Sequence, residues 1–516
     1  MSNMKLVTKK VSKKLFSKTH IVFACLIAFN LYLSTWLTLQ GDVDLNADVA
    51  RDFLLQEELI QKKIVLIGAR SGTSGIFHGP AWTYLNAPMY RLGNGNPTTV
   101  AWFWIFLSFT FVVTSYLLAK KLTNNTTGLL YAVLLSGNMI FLTNPQSHSH
   151  GALFLMPSFI FTIIMYTRTK KWYFLAIHFV VASLMVQFQM AAGLPMLAIS
   201  LVYSFYFIKK HGNQAHFLTF ALVPLILSNF FLFELRHEFG MIRSVLLFSK
   251  PASESVIHTY WFMLQERLDK LLSLQISPGL PVLLSGFLSA IVWVTTLERK
   301  DKRRTNADIF TILPTYFICY LILSFVNKGY IQGQQFLPIL PLTNLWFAVT
   351  VTQINNKKIW LLVMLVITFN FIAAFKHINE LKENYIGLAQ SSWKFQKSVV
   401  EKITNRGDRE FGYFVYAPDI FGYTQRYVAG QVFRVSGVNA HEYSKQPITY
   451  IIAAPAPTDR PDLNYDWWRK YKVGINVLPQ QIWTFPNGYT VERFELSKEE
   501  QDRPWDEAIN VGLHFR

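Results

Sequence analysis

Along this chain apolar residues arrive in long runs separated by short polar connectors. The runs lie at about 21–39, 99–119, 127–143, 151–167, 172–189, 191–208, 216–233, 277–297, 308–326, 336–353 and 359–377. Stretches of about 20 apolar residues match the length a helix needs to cross the hydrocarbon layer, so the pattern predicts about eleven membrane helices. The fifth and sixth are nearly continuous around Gln189 and Ala192. From about 395 the pattern changes to short β-rich runs at 413–417, 448–454, 473–478 and 490–494. Pro486-Asn487-Gly488 reads as a turn between two of them, and 462–471 as a helix. The chain therefore divides into a basic tail (1–20), a membrane body (21–394) and a small soluble α/β domain (395–516).

The longest polar interruption among the early spans is 40–98. It holds carboxylates, arginines, a histidine and many glycines, far more than a connector between two spans requires. Asn46 is placed to cap a helix that carries Asp48, Arg51 and Asp52 on one face, at spacings of three and four. Val49, Phe53 and Ile60 fall on another face, which predicts a helix resting on the membrane surface. The ordinary reading of Asp48 and Arg51 is a surface pair that favours the helix dipole. Against it stand the closeness of this helix to the first span and the GARSGTSGIFHGP stretch that follows, which suits close backbone approach.

Composition agrees with the pattern. The chain has 516 residues, 51% hydrophobic and 16% aromatic, and a mean hydropathy of +0.25, too apolar for a soluble enzyme of this size. The net charge of +18 would fit a nucleic-acid binder. Its placement argues otherwise, because the basic clusters sit in short connectors. These are the N-terminal tail, Lys120 with Lys121, 168–171, Lys209 with Lys210, 298–304, and Lys357 with Lys358. They alternate with loops that lack such clusters, so the positive-inside rule puts them in the cytoplasm. The segments 40–98, 144–150, 234–276, 327–335 and everything after about 378 then face outside. The basic start resembles a signal peptide, but its apolar run is of span length without a cleavage signal, which predicts a retained first helix. Cys25 and Cys319 both lie inside apolar runs, which argues against a disulfide.

The order of a basic tail, one span, D-x-x-R-D, a strand-like IVLIG, a Gly/Ser turn, F-H-G-P and N-A-P resembles the C-type (GT-C) membrane glycosyltransferase superfamily. The similarity is to its bacterial members related to protein O-mannosyltransferases and lipid A aminoarabinose transferases. The resemblance implies a GT-C fold and inverting transfer of a sugar from a polyprenyl-phosphate donor to an acceptor hydroxyl. The acceptor would be a glycan, lipid or protein at the extracytoplasmic face of the cell membrane. In that family an acidic residue early in the first outer loop faces the acceptor, and Asp48 is the matching position. Protein mannosyltransferases carry an Asp-Glu pair there; this chain has Asp48-Val49, leaving Asp52, one turn on, as the substitute. Such chemistry needs a base for the hydroxyl proton and positive charge or hydrogen bonds for the departing phosphate.

Donor-binding candidates are Arg236 and His237 in a charged run after a span, Lys328, Gln334 and Gln335 where another span begins, and His78 in F-H-G-P. The bland alternatives are interfacial anchoring, helix capping and loop packing. Gln187 and Gln189 are polar within an apolar helix. His148 and His150 are candidates for a metal or the donor phosphate, and otherwise belong to a polar helix end capped by Asn144. Carboxylate beside phosphate suits Mg²⁺ or Mn²⁺, and members of the superfamily differ in needing one. Arg243, Lys250, Glu266, Arg267 and Lys270 read as solvated faces of interfacial helices. A transporter or flippase of a lipid-linked or polar substrate would also need many spans. It would be expected to carry polar or broken helices near the midplane and internal repeats. Here the charges concentrate in loops, which favours chemistry at one face. A scaffold with a partner-binding tail would leave the 40–98 loop unexplained.

Overall fold

The computed structural model describes residues 18–71, 75–211, 213–248, 256–299, 306–326, 331–354, 358–419, 421–456 and 464–510. The basic tail before Lys18, Lys250, the 300–305 part of one basic connector, Lys328, Lys357 and Asp462 lie outside the described residues. Each apolar run coincides with a helix. The first part of the chain gives α1 (Lys18–Ser34), α2 (Ala47–Lys62), α3 (Ala81–Leu92), α4 (Pro97–Leu122), α5 (Asn125–Leu142), α6 (His148–Thr169), α7 (Trp172–Phe188) and α8 (Met190–His211). Then come α9 (Leu222–Ile226), α10 (Ser228–Arg236), α11 (Gly240–Phe248), α12 (Val256–Ser273), α13 (Val282–Arg299), α14 (Ile309–Leu323), α15 (Leu340–Gln353) and α16 (Ile359–Glu380).

Among the described residues eight helices are long and apolar enough to cross a membrane, and nine if the pair Gln214–Ile226 and Ser228–Arg236, bent by 45°, forms one span. His20–Ser34 and Trp172–Phe188 are shorter apolar helices. The chain is thus a polytopic α-helical membrane protein. α5, α6 and α15 are buried over most of their length and form the centre of the bundle, whereas α4, α13 and α16 keep much of their apolar surface outward. A helix that is apolar all round is stable in such a place because one side meets protein and the other lipid. Polar side chains tie the centre together. His178 contacts Thr162 (3.1 Å) and Ser200 (2.9 Å), and Ser200 contacts Tyr316 (3.1 Å), which joins α6, α7, α8 and α14. Cys25 and Cys319 are free thiols.

The C-terminal part adds α17 (Trp393–Thr404), β1 (Glu410–Tyr416), α18 (Tyr423–Ser436), β2 (Asn439–Glu442), β3 (Ile448–Ala453), β4 (Gln481–Thr484) and β5 (Thr490–Glu495). The sheet order is β2-β1-β3-β5-β4. β1 pairs in parallel with β2 and β3, and β5 pairs antiparallel with β3 and β4. The Pro486-Asn487-Gly488 turn joins β4 to β5, and Gly488 takes the left-handed conformation at φ 83°. Alternate residues of β1 face opposite cores. Phe411, Tyr413 and Val415 join the large core that includes the bundle, while Phe414 and Tyr416 join a separate one on the far side of the sheet.

Three expectations about elements change. The run 473–478 is not a strand. Arg469 donates to the carbonyls of Ile475 (3.2 Å) and Val477 (2.8 Å), so a side chain rather than a neighbouring strand satisfies them. The strand is β4, and β2 is a further strand that the apolar pattern does not mark. Nor does α2 rest on the membrane by Val49 and Phe53. Both are fully buried in protein, with the Phe53 ring stacked on Tyr427 of α18 at 5.1 Å and near Trp104 of α4 at 6.1 Å. Finally, Arg267 is buried, paired with Glu266 and donating to Ser324, while Glu266 accepts the Ile331 N–H at 2.9 Å. Those two side chains pin a loop and are not a solvated face; Arg243 is exposed as expected.

Candidate active site

The site begins with the Asn46 cap. Its side-chain oxygen accepts the Val49 N–H at 3.1 Å, which starts α2 and sets Asp48 in the first turn. The Arg51 guanidinium lies one turn on. It donates to Asp48 at 2.9 Å, contacts Asp52 at 3.4 Å and reaches the Arg70 carbonyl at 3.4 Å. Arg51 and Asp52 are buried, whereas the Asp48 side chain is 44% exposed. The second Asp48 oxygen accepts the side-chain amide of Gln334 at 3.1 Å. Gln334 lies in the short helix Gly333–Phe336, and its carbonyl accepts the Gln189 amide at 3.3 Å. Thus the helix face predicted around 48–52 is formed, and a residue far along the chain completes it.

Asp48 opens on a cavity of about 380 Å³. Val49, Phe141, Leu142, Phe336, Leu337 and Leu340 supply apolar walls, while Asn46, Ser147, His150, Gln275 and Gln334 supply polar groups. The helix ends of α2, α5 and α6 and the start of the α15 span meet here. A carboxylate with free access on one side and a fixed guanidinium on the other can take a proton from a hydroxyl held in the cavity.

Behind Asp48 lies a buried polar chain. His148 Nδ1 stands 3.8 Å from the second Asp52 oxygen, and its ring stacks on His78 at a centroid distance of 4.3 Å. Burial would raise the Asp52 carboxyl, but the His148 imidazole and the Arg51 guanidinium outweigh it and hold Asp52 below the ordinary carboxylate range. His78 moves the other way. Burial first, then His148 and Arg51, push it well below the usual imidazole value. The Met190 N–H donates to His78 Nδ1 at 3.2 Å, so the neutral ring carries its proton on Nε2. His78 therefore packs the loop against the α7–α8 junction and does not line the cavity.

That burial has a sign. The unfolded chain binds a proton at this histidine near pH 6.5 and the folded chain does not, so stability is present above pH 6.5 and lost as pH falls below it. The apparent melting temperature in detergent is expected to fall below about pH 6.5, and to fall less steeply in His78→Asn. Parallel curves for the two proteins would contradict this.

The remaining predicted positions divide. His148 and His150 point apart: His148 faces Asp52 and His78, while His150 Nδ1 accepts the Ser147 N–H at 3.0 Å as part of the α6 cap. Ser147 is that cap, not Asn144. The Asn144 side chain instead bonds Thr38, the Asp42 carbonyl and the Asp44 N–H. Among the described residues no three His, Cys, Asp or Glu side chains gather as metal ligands. Arg236 and His237 are exposed at the end of α10, with the His237 ring stacked on Phe233 at 4.0 Å, and neither lines the cavity. Gln335 gives its carbonyl to the Tyr320 hydroxyl at 2.9 Å, and its neighbour Gln334 reaches Asp48 instead. Gln187 donates to the Ile226 carbonyl at 2.9 Å and packs against Gly79, whose added Cβ would lie 2.8 Å from the Gln187 Cα. The glycine there allows the loop to close on α7.

The chain superposes on ArnT from Cupriavidus metallidurans bound to undecaprenyl phosphate, with a TM-score of 0.60 at 8% identity over 93% of this chain and 98% of that one. The apo state of the same protein gives 0.59 at 8% identity, over 92% and 97%. The chain has the GT-C membrane fold. The oligosaccharyltransferase of Archaeoglobus fulgidus in complex with Zn and sulfate is more distant, with a TM-score of 0.47 at 13% identity over 83% of this chain and 67% of that one. No protein-family model and no curated protein matches the sequence. The GT-C fold extends over both the helical bundle and the C-terminal sheet, since nearly all of each chain is aligned in the first two comparisons.

Proposed function

We propose that this protein transfers a sugar from a polyprenyl-phosphate-linked donor to an acceptor hydroxyl at the extracytoplasmic face of the cell membrane. The observation that carries the reading is Asp48, half exposed at the mouth of an apolar-walled cavity and held by Arg51 and Gln334. The ArnT protein of the same fold was crystallised with undecaprenyl phosphate, a carrier of the expected class. An Asp48 oxygen takes the proton of the acceptor hydroxyl as the acceptor oxygen bonds to the anomeric carbon. The bond from that carbon to the phosphate oxygen breaks, and the electron pair leaves on polyprenyl phosphate. Attack opposite the leaving group inverts the anomeric centre. Arg51 and Asp52 orient the base, and Arg236, His237, Gln335 and Lys328 stay the sequence-based candidates for the donor phosphate. Residues 21–394 would carry the reaction and 395–516 would stand over it. No step is routed through a metal ion.

The test is direct. The purified full-length chain is incubated with a panel of undecaprenyl-phosphate hexoses and pentoses and with membrane extracts as acceptor. At least one donor is expected to raise the melting temperature and to yield a glycosylated product with release of undecaprenyl phosphate. Movement of the lipid-linked sugar across proteoliposomes without any glycosidic product would replace this reading with a transporter.

A further inference from the structure

The stretch that leads into Asp48 is gripped by the C-terminal part of the chain. Asp42 is fully buried, and its carboxylate accepts the N–H groups of Val43 (2.8 Å), Lys394 (3.0 Å) and Gly387 (3.1 Å) and the Ser392 hydroxyl (2.6 Å). The Leu45 N–H donates to the Ser391 carbonyl at 2.7 Å, and the Trp393 N–H donates to the Val43 carbonyl at 3.0 Å. The Leu45 carbonyl accepts the buried hydroxyl of Thr424, at the start of α18, at 2.9 Å. Leu45 directly precedes the Asn46 cap.

The same helix holds α2 further along. The Tyr427 ring stacks on Phe53 at 5.1 Å, with its hydroxyl donating to the Gly95 carbonyl. Arg434 pairs with Glu57 at 2.8 Å, and the Tyr90 hydroxyl donates to the same Glu57 oxygen at 3.0 Å. These contacts bracket Asp48 from both sides, at Leu45 and at Phe53, while Asp48 itself faces the cavity.

We propose that α18 is a positioning element for the Asp48 carboxylate, with Thr424 and Tyr427 as positioning residues. The proposal rests on the reading of Asp48 as the base. A hydroxyl bond to the peptide just before the cap fixes the direction in which the first turn of α2 leaves, and hence where Asp48 stands. Transfer between a bound donor and acceptor is sensitive to that placement, since a shift of about 1 Å costs on the order of a hundredfold in rate. Helix α18 would then contribute to the rate without touching substrate.

Thr424→Val keeps the shape of the side chain and removes the donor, while Thr424→Ser keeps the donor. Steady-state transfer from an undecaprenyl-phosphate sugar and hydrogen exchange of the 44–52 amides are measured on the full-length chain. Thr424→Val is expected to lower kcat about tenfold with KM for the donor within about twofold, and to speed exchange at 44–52 but not in α5. Thr424→Ser restores both. Arg434→Gln, whose residue lies half exposed at the far end of the contact, moves kcat and exchange in the same direction by less. Unchanged exchange in Thr424→Val would overturn the grip, and faster exchange with unchanged kcat would overturn its role in the reaction. If the unmodified chain transfers no sugar, the reading of Asp48 falls, and exchange alone decides whether Thr424 fixes this turn.

Discussion

Asp48→Asn is expected to lower sugar transfer by at least about a hundredfold and to leave the protein folded, because a positioned base contributes about 10²–10⁴. The Asp48 side chain is 44% exposed, so replacing its charge buries no uncompensated group at that position, although its partner Arg51 is buried. Arg51 keeps Asp52 and the Arg70 carbonyl. What the variant loses is proton acceptance at the cavity mouth. On the asparagine only the amide oxygen accepts; it keeps Arg51, and Gln334 can turn its own amide to accept the new NH2, so the hold on the side chain changes as well. Transfer of labelled sugar and the melting temperature in detergent, measured on one preparation, separate the two effects. Wild-type transfer by the D48N protein would remove Asp48 from the chemistry.

Arg51→Met is expected to cost about 3 kcal/mol in stability, because it leaves the buried Asp52 carboxylate without its cation. The other Asp52 oxygen faces His148 across 3.8 Å, too far for a direct hydrogen bond to make up the loss. Asp48 would lose its 2.9 Å partner at the same time, so transfer falls even in the fraction that folds. The sign of the coupling distinguishes this account from a simple loss of packing. Adding Asp52→Asn to Arg51→Met removes the stranded charge, so the double variant should be more stable than Arg51→Met alone. Thermal or denaturant unfolding in detergent reads this; equal or lower stability of the double variant would contradict the buried-pair argument.

How far the sequence led can be judged residue by residue. The spans were legible because a helix that meets lipid must be apolar over its whole length, and this leaves a long uninterrupted signal. The cap at Asn46 and the Asp48, Arg51 pair were legible because they depend on contacts three or four residues apart. The strands β1, β3 and β5 were legible as short β-rich runs, whereas β2, with the sequence NAHE at the sheet edge, has no apolar signature. The buried state of Phe53 was not legible, since an apolar helix face looks the same whether lipid or protein will cover it. The covering ring belongs to Tyr427, hundreds of residues away.

The sequence by itself determined that this is a membrane protein of many spans, with a polar first loop and a small C-terminal sheet region, and it put Asp48 at the head of a helix. These follow from local rules: hydrophobic length, capping and short-range pairing. Only the tertiary structure decided what Asp48 faces, which glutamine meets it, that the two histidines after Ser147 point apart, and that α18 grips the start of α2. Gln334 and Asp48 lie 286 positions apart, and Thr424 and Leu45 lie 379 apart. Contacts of that range are set by how whole helices pack, because the cost of bringing such distant residues together is repaid by the buried bundle and not by the pair itself.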